Sequence, residues 1–191
     1  MHFFRSIPAL CHGVAMGAIV VQELVVYLPS SAPEYYTFDI DAYDGPYAMN
    51  ATFAKLMLDE HNAKRLVHGS QKLRWSTEVF NFAAQYALQY NCSGILEHSG
   101  GKYGENLAYG YSPVDAIDAW YQEGDIYHYG TETVYNHFTA MVWNNSNSLG
   151  CAYKECPHGL YITCNYDPPG NVIGWSSQNV FPPLASPSPL K

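Results

Sequence analysis

Histidine and glutamate side chains at four positions are the residues of this chain best suited to chemistry. They are His98, Glu105, Glu123 and His137. Imidazole and carboxylate groups together can hold a divalent cation such as Zn²⁺ or act as an acid and base pair. The gaps of 7, 18 and 14 residues between them place the four on separate elements. Spacing alone therefore leaves an ordinary hydrogen-bonding or solvated role open for each.

Composition limits the partners. The 191 residues carry a formal charge of −8, only 14% of them are charged, and 17 are tyrosines. Nucleic-acid binding depends on lysine and arginine neutralising phosphates, so this balance disfavours nucleic acid and an anionic membrane surface alike. We expect neutral, apolar or cationic partners. The sequence has no G-x-S-x-G elbow, H-E-x-x-H pair, phosphate-binding glycine loop or nucleotide fingerprint.

The first 32 residues are predicted to be a signal peptide. A positively charged start precedes an apolar run over residues 13–21, which is too short to span a bilayer. The Gln22-Glu23 pair interrupts this pattern, and a buried helix or an uncleaved anchor is the alternative. Three sequons, at Asn50, Asn91 and Asn144, agree with a secretory route, although the one at Asn91 has a cysteine in its middle. We predict glycosylation at Asn50 and Asn144.

The cysteines favour export as well. If Cys11 leaves with the signal peptide, four cysteines remain, and an even number in an oxidising compartment indicates two disulfides with three possible connectivities. A zinc site is the weaker interpretation, because the set contains no C-x-x-C pair. The four are Cys92, Cys151, Cys156 and Cys164.

One domain over residues 50–182 is predicted, preceded by a linker over 33–49 and followed by a Pro/Ser-rich tail over 183–191. Apolar spacing predicts a helix over 52–67, a second from a Ser76 or Thr77 cap to about residue 90, and a third opened by Ser112-Pro113. Residues 73–75 form a short extended piece. Residues 149–153 and 160–165 predict a hairpin. The first helix is predicted to bury an apolar face made of Phe53, Leu56, Met57, Ala63, Leu66 and Val67.

Four segments resemble known motifs. Residues 137–143 (His-Phe-Thr-Ala-Met-Val-Trp) and 162–171 (Ile-Thr-Cys-Asn-Tyr-Asp-Pro-Pro-Gly-Asn) look like the two signatures of the CAP superfamily of cysteine-rich secretory, antigen 5 and pathogenesis-related 1 proteins. Residues 104–108 and 119–123 match two further family segments. The four occur in the family's order over residues 50–180. The short cysteine set and residues 91–94 are most similar to the fungal secreted, sterol-binding branch.

The resemblance implies an α+β fold, a three-layer α-β-α sandwich. It also implies that His98, Glu105, Glu123 and His137 converge in one cleft, which some relatives load with Zn²⁺ or another divalent cation. No other cofactor is expected. Family pairing would join Cys92 to Cys156 and Cys151 to Cys164, the second disulfide stapling the hairpin.

The function implied is a secreted, non-catalytic carrier of sterols or other small hydrophobic compounds, in the extracellular space or cell wall. In fungal relatives sterol binding is attributed to an aromatic loop, which here is residues 124–136 with Tyr127, Tyr129 and Tyr135. The loop is short, and Val134 replaces the last aromatic of the family motif. Transient membrane contact and a monomer fit this picture. The alternatives are an effector or cell-wall protein that binds a macromolecule, and a metal-assisted hydrolase such as a protease that uses the cleft.

Overall fold

A computed structural model describes residues 45–184 of the chain. The predicted signal peptide, most of the predicted linker and most of the tail lie outside the described residues. The elements, in chain order, are helix α1 (Ala51–Val67), strand β1 (Arg74–Trp75), helix α2 (Thr77–Gln89), strand β2 (Gly104–Tyr111), helix α3 (Pro113–Gln122) with a 3₁₀ turn (Glu123–Ile126), helix α4 (His137–Val142), strands β3 (Ser148–Cys156) and β4 (Gly159–Asp167), and a second 3₁₀ turn (Ser176–Gln178).

The four strands form one mixed sheet in the order β1-β3-β4-β2. Strand β1 pairs in parallel with the first two residues of β3, and the other neighbours are antiparallel. The β3–β4 hairpin sets Cys151 directly opposite Cys164, and these two residues form a disulfide. The second disulfide joins Cys92 to Cys156 at the far end of β3.

Helices cover both faces of the sheet. Neighbouring strand residues point to opposite faces, and here Leu107 packs with helix α2 whereas Ala108 packs with helices α1, α3 and α4. Cys151 and Ala152 on β3 divide in the same way. The predicted three-layer α-β-α sandwich is confirmed.

Side-chain caps define where the helices begin. Asn50, Ser76 and Ser112 each accept a hydrogen bond from the backbone N–H three residues later, and Pro113 occupies the first turn of α3. Such caps satisfy donors that the helix leaves unpaired. Gly69 follows α1 with a φ of 66°, a conformation that costs glycine little.

The predicted apolar face of α1 is wrong over its second half. Ala63, Leu66 and Val67 are exposed, whereas His61 and Arg65 are fully buried. Their side chains have partners in the interior: Arg65 donates to the carbonyls of residues 71, 141, 143 and 146, and His61 bonds to residues 57 and 166. Burial of a polar group is tolerated when its hydrogen bonds are satisfied.

Contacts of the domain begin before residue 50 and continue past residue 182. Tyr47 and Met49 pack against the α2 side of the sheet, and the Leu184 N–H donates to the Val67 carbonyl at 2.8 Å. Within residues 45–184, no helix has the length and apolar character needed to cross a membrane.

Candidate functional site

The first candidate pair is His98 with Glu105. Strand β2 carries Glu105, whose Oε1 lies 2.8 Å from His98 Nδ1 and accepts a hydrogen bond from the Ser99 N–H at 2.9 Å. Asn165 on the neighbouring strand lies 3.3 Å from the other carboxylate oxygen. The Glu105 side chain is 5% exposed and that of His98 is 65% exposed. The carboxylate is therefore fixed, and the imidazole lies over it at the surface of a cavity of about 220 Å³.

The second candidate pair is Glu123 with His137. Glu123 follows the last residue of α3, and its Oε1 lies 2.7 Å from His137 Nδ1. Its Oε2 accepts from the backbone N–H of His137 at 2.8 Å. The imidazole stacks on Trp120, with ring centroids 6.1 Å apart. One carboxylate thus holds both the start of helix α4 and the ring of its first residue.

Helix α4 lies between the two pairs. It begins at His137 and carries Ala140, which lines the cavity beside His98 and Glu105. Its start is held by a capping box of Asn136 and Thr139. Both pairs therefore border the same short helix.

Asn171 fixes that helix from outside. Its Oδ1 accepts from the Thr139 hydroxyl at 2.7 Å, and its Nδ2 donates to the Asn136 carbonyl at 3.0 Å. Asn171 has a φ of 57°, a left-handed conformation that asparagine adopts more readily than most residues. Reasoning from the sequence missed this role for Asn136, Thr139 and Asn171. The available clue was Asn171 itself, the asparagine that ends the motif over residues 162–171.

The four residues form two pairs rather than one metal-ligating group. Imidazole and carboxylate are suitable zinc ligands, yet each Nδ1 faces its own carboxylate, and within residues 45–184 no three His, Cys, Asp or Glu side chains group as a cation site. In this arrangement the residues do not fit a site with three or more protein ligands. Cation binding stays a prediction.

The three predicted ligand-binding tyrosines have different surroundings. Tyr127 is 5% exposed and packs in the core 5.8 Å from the Phe138 ring. Tyr129 is 36% exposed and contacts Tyr127 edge-to-face, with centroids 5.1 Å apart. Within the described chain, the buried Tyr127 hydroxyl has no hydrogen-bond partner. These two tyrosines form one aromatic unit.

Tyr135 anchors the end of the loop instead. Its hydroxyl donates to Glu132 Oε2 at 2.9 Å and accepts from the Gly174 N–H at 2.7 Å. Glu132 also accepts from the backbone N–H groups of Ser176 and Ser177. Hydrogen bonds from Ser177 and Ser176 lower the pKa of Glu132 to about 2. The ionised carboxylate therefore ties the loop to residues 174–177.

His68 supports the loop from beneath. Its ring lies 6.2 Å from that of Tyr129 and 5.3 Å from that of Phe138. Its Nδ1 lies 2.7 Å from the Phe181 carbonyl oxygen, and a carbonyl only accepts, so Nδ1 carries the proton and Nε2 accepts from the Tyr121 hydroxyl at 2.8 Å. Burial lowers the pKa of His68. No pattern in the sequence pointed to His68.

The two predicted glycosylation sites lie in different settings. Asn50 is exposed, and its side chain caps α1 while Nδ2 donates to the Tyr153 hydroxyl at 3.2 Å. Asn144 is partly buried and accepts a hydrogen bond from the Gln71 N–H. The amide of Asn50 is the more accessible of the two.

Comparison with known proteins identifies the family. The family model described as the cysteine-rich secretory protein family, CAP, matches residues 58–166. The chain belongs to the CAP family. It is 60% identical over 179 residues to a probable pathogenesis-related protein of Candida albicans, a match that covers 88% of this chain and 89% of that protein.

Another curated protein and a solved structure are also similar to this chain. The chain is 53% identical to the secreted protein RBT4 of Candida albicans over 64% of its own length, but spans only 36% of that protein. The structure of the Schistosoma mansoni venom allergen-like protein 4 has a TM-score of 0.56 and 21% identity, with 71% of this chain and 97% of that chain covered. At that identity the likeness shows the fold alone.

Proposed function

We propose that this CAP protein is a secreted, non-catalytic carrier that binds sterols or other small hydrophobic compounds at residues 124–136. Its location is the extracellular space or the cell wall, as the family and the relatives named secreted proteins indicate. The proposal of ligand binding is based on the structure of the loop over residues 124–136.

The observation that carries the proposal is the aromatic unit of Tyr127 and Tyr129. Tyr129 is 36% exposed, and Ile126, which precedes Tyr127 in the chain, is 68% exposed. Aromatic and aliphatic surface of this kind suits a flat apolar ligand. Tyr127, whose ring contacts that of Tyr129, has a buried hydroxyl without a partner among the described residues. A buried hydroxyl costs free energy until it is hydrogen-bonded, so a ligand with one hydroxyl would satisfy it.

Charge supports the same class of ligand. The protein has a net charge of −8, which opposes anionic compounds, whereas a sterol is neutral. The Tyr129 ring contacts that of Tyr127 edge-to-face, so a ligand seated on Tyr129 lies next to the buried ring. The loop base is fixed, since Glu132 and Tyr135 bind it to residues 174–177.

The experiment is a titration of the purified, oxidised chain with radiolabelled cholesterol or ergosterol. We expect saturable binding in the wild type and, for the loop site, at least ten-fold weaker binding in Tyr129→Ala, which corresponds to about 1.4 kcal/mol. Tyr111→Ala is the matched control, because Tyr111 is 46% exposed on strand β2 and should not change the affinity. Equal binding by both variants and the wild type would place the ligand elsewhere.

A second pair of variants separates the loop from the cleft. Glu105→Gln and Glu123→Gln alter the two histidine–carboxylate pairs and leave Tyr127 and Tyr129 unchanged. Sterol affinity should persist in both variants. Loss of sterol binding in both, with the fold intact, would move the ligand to the cleft and contradict the loop assignment.

A further inference from the structure

The outer edge of strand β3 is covered over only part of its length. Strand β1 pairs with Ser148 and Leu149, whereas β3 continues to Cys156. Within residues 45–184, no strand pairs with the outer edge of β3 beyond Leu149. Residues 46–50 cross this region on their way into helix α1.

A cavity of about 500 Å³ lies at this edge, between the start of α1, helix α2 and β3. The cavity exists because the helix and the strand that border it carry small residues where they face each other. Helix α2 and β3 touch at Gly150, where any side chain would collide with the backbone of Phe80. Farther along, alanines face the space from both elements, at Ala84 and Ala152. Small side chains on both walls leave a volume that residues 45–184 do not fill.

The described lining of the cavity is mainly apolar and carries no charged side chain. Its larger members are Met49, Phe53, Phe80, Leu88 and Tyr153, and none of the described lining residues is Asp, Glu, Lys, Arg or His. The rings of Phe53 and Tyr153 pack with their centroids 4.7 Å apart and form one aromatic wall of the cavity. Polar side-chain groups come from Tyr47, Asn50 and Tyr153, and the Asn50 amide donates to the Tyr153 hydroxyl at 3.2 Å. Cavities of 300–1,000 Å³ with apolar walls and few polar groups are the usual form of a small-molecule site.

We propose that this β3-edge cavity is a second ligand site, for an uncharged apolar compound with one hydroxyl or carbonyl group. Absence of charge on the described lining is the argument for neutrality, because a carboxylate or ammonium group would lose hydration without gaining a counter-ion. The single polar group of the ligand would bind at the Asn50–Tyr153 pair. The inference goes beyond the loop and does not depend on it, since the two sites share no residue.

Photoaffinity labelling locates the site directly. The oxidised full chain, without a glycan at Asn50, is irradiated with a neutral sterol that bears a diazirine, and the labelled residues are read by mass spectrometry. We expect labels within residues 46–53 and 84–88, competed by unlabelled sterol but not by an equal concentration of oleate. Labels confined to residues 124–136, or no label, would overturn the proposal. Coverage of the cavity by another part of the chain or by a second copy would also give no label there, and would reject it equally.

Filling the cavity provides the matched test. Ala84→Phe puts a phenyl ring into the space, whereas Gln85→Phe adds the same ring at the next, exposed position of α2. Labelling of the cavity should fall at least ten-fold in Ala84→Phe and stay unchanged in Gln85→Phe and in Tyr129→Ala. Circular dichroism and the melting temperature verify that each variant is folded. If Ala84→Phe does not fold, Leu88→Glu, at the exposed mouth of the cavity, replaces it and should give the same loss. Undiminished labelling of the cavity in folded Ala84→Phe, or in folded Leu88→Glu where it replaces that variant, contradicts the proposal.

Discussion

Replacement of Arg65 by methionine is expected to remove a large part of the stability of the domain. The Arg65 side chain is fully buried, and burial lowers its pKa to about 10, so it remains cationic at neutral pH. Its Nε donates to the Gln71 carbonyl, Nη1 to those of Met141 and Trp143, and Nη2 to that of Ser146, at 2.7–2.9 Å. One side chain thus holds the end of helix α4 and the turn after it against α1.

The magnitude follows from these four bonds. A buried acceptor left without its donor costs about 1–3 kcal/mol, and water and relaxation recover part of the sum over the four carbonyls, while methionine carries no charge that would have to be buried. Methionine keeps most of the apolar volume, so the cavity cost stays small. We expect the free energy of unfolding to fall by about 4 kcal/mol and the melting temperature by roughly 12 °C for a domain of this size.

Urea denaturation measures the change, with an unchanged slope as the sign that two-state unfolding is kept. Lys55→Met on the same helix is the control, since Lys55 is exposed and its ion pair with Asp59 should contribute under about 0.5 kcal/mol. Arg65→Lys should recover less than half of the loss, because one ammonium group cannot reproduce the planar fork. A loss below about 1 kcal/mol in Arg65→Met would refute the reasoning.

Three further outcomes are expected. Burial lowers the pKa of His61 to about 4 from 6.5, so between those values the unfolded chain takes up a proton that the folded chain does not, and stability should fall by about 3 kcal/mol as the pH drops from 6.5 to 4. His61→Gln should flatten that part of the stability–pH curve, and an unchanged slope would contradict the assignment. Removal of the disulfide by Cys92→Ala with Cys156→Ala should cost about 4 kcal/mol from its 64-residue separation, as measured by urea denaturation, and a cost under 1 kcal/mol would argue against the loop-entropy estimate. If the cleft binds Zn²⁺ through both pairs, calorimetric titration should show a Zn²⁺ affinity that weakens at least ten-fold in His98→Ala and also in His137→Ala. Weakening in only one of these variants would limit the ion to one histidine–carboxylate pair.

Local signals in the sequence predicted the helix starts and the hairpin. Ser76, Ser112 and Pro113 act within one turn of the backbone they cap, so their types alone indicate a helix start. The hairpin was predicted from two β-like runs, residues 149–153 and 160–165, separated by a turn, and these runs form β3 and β4 in the structure. Strand β2 and helix α4 were not predicted as elements from periodicity. Strand β2 carries the polar Glu105 and Asn106 among its apolar residues, and α4 has only six residues, five of them buried.

Tertiary contacts decided the rest. Arg65 and His61 were not part of the predicted buried face, and only carbonyls and a hydroxyl brought in from distant segments make their burial acceptable. In the candidate site, the resemblance to a known family supplied the four residues, since no local rule joins residues 7 to 18 positions apart on different elements. Which histidine pairs with which carboxylate follows from the placement of β2 and α4, and the sequence does not encode it locally.

Equilibrium titration with radiolabelled ergosterol tests the central claim, that this protein carries neutral hydrophobic compounds. The account predicts saturable binding at micromolar sterol, competed by unlabelled sterol, and a loop component, measured in an Ala84→Phe background, that Tyr129→Ala weakens at least ten-fold. No saturable binding by the folded, oxidised wild-type chain at micromolar sterol would contradict it.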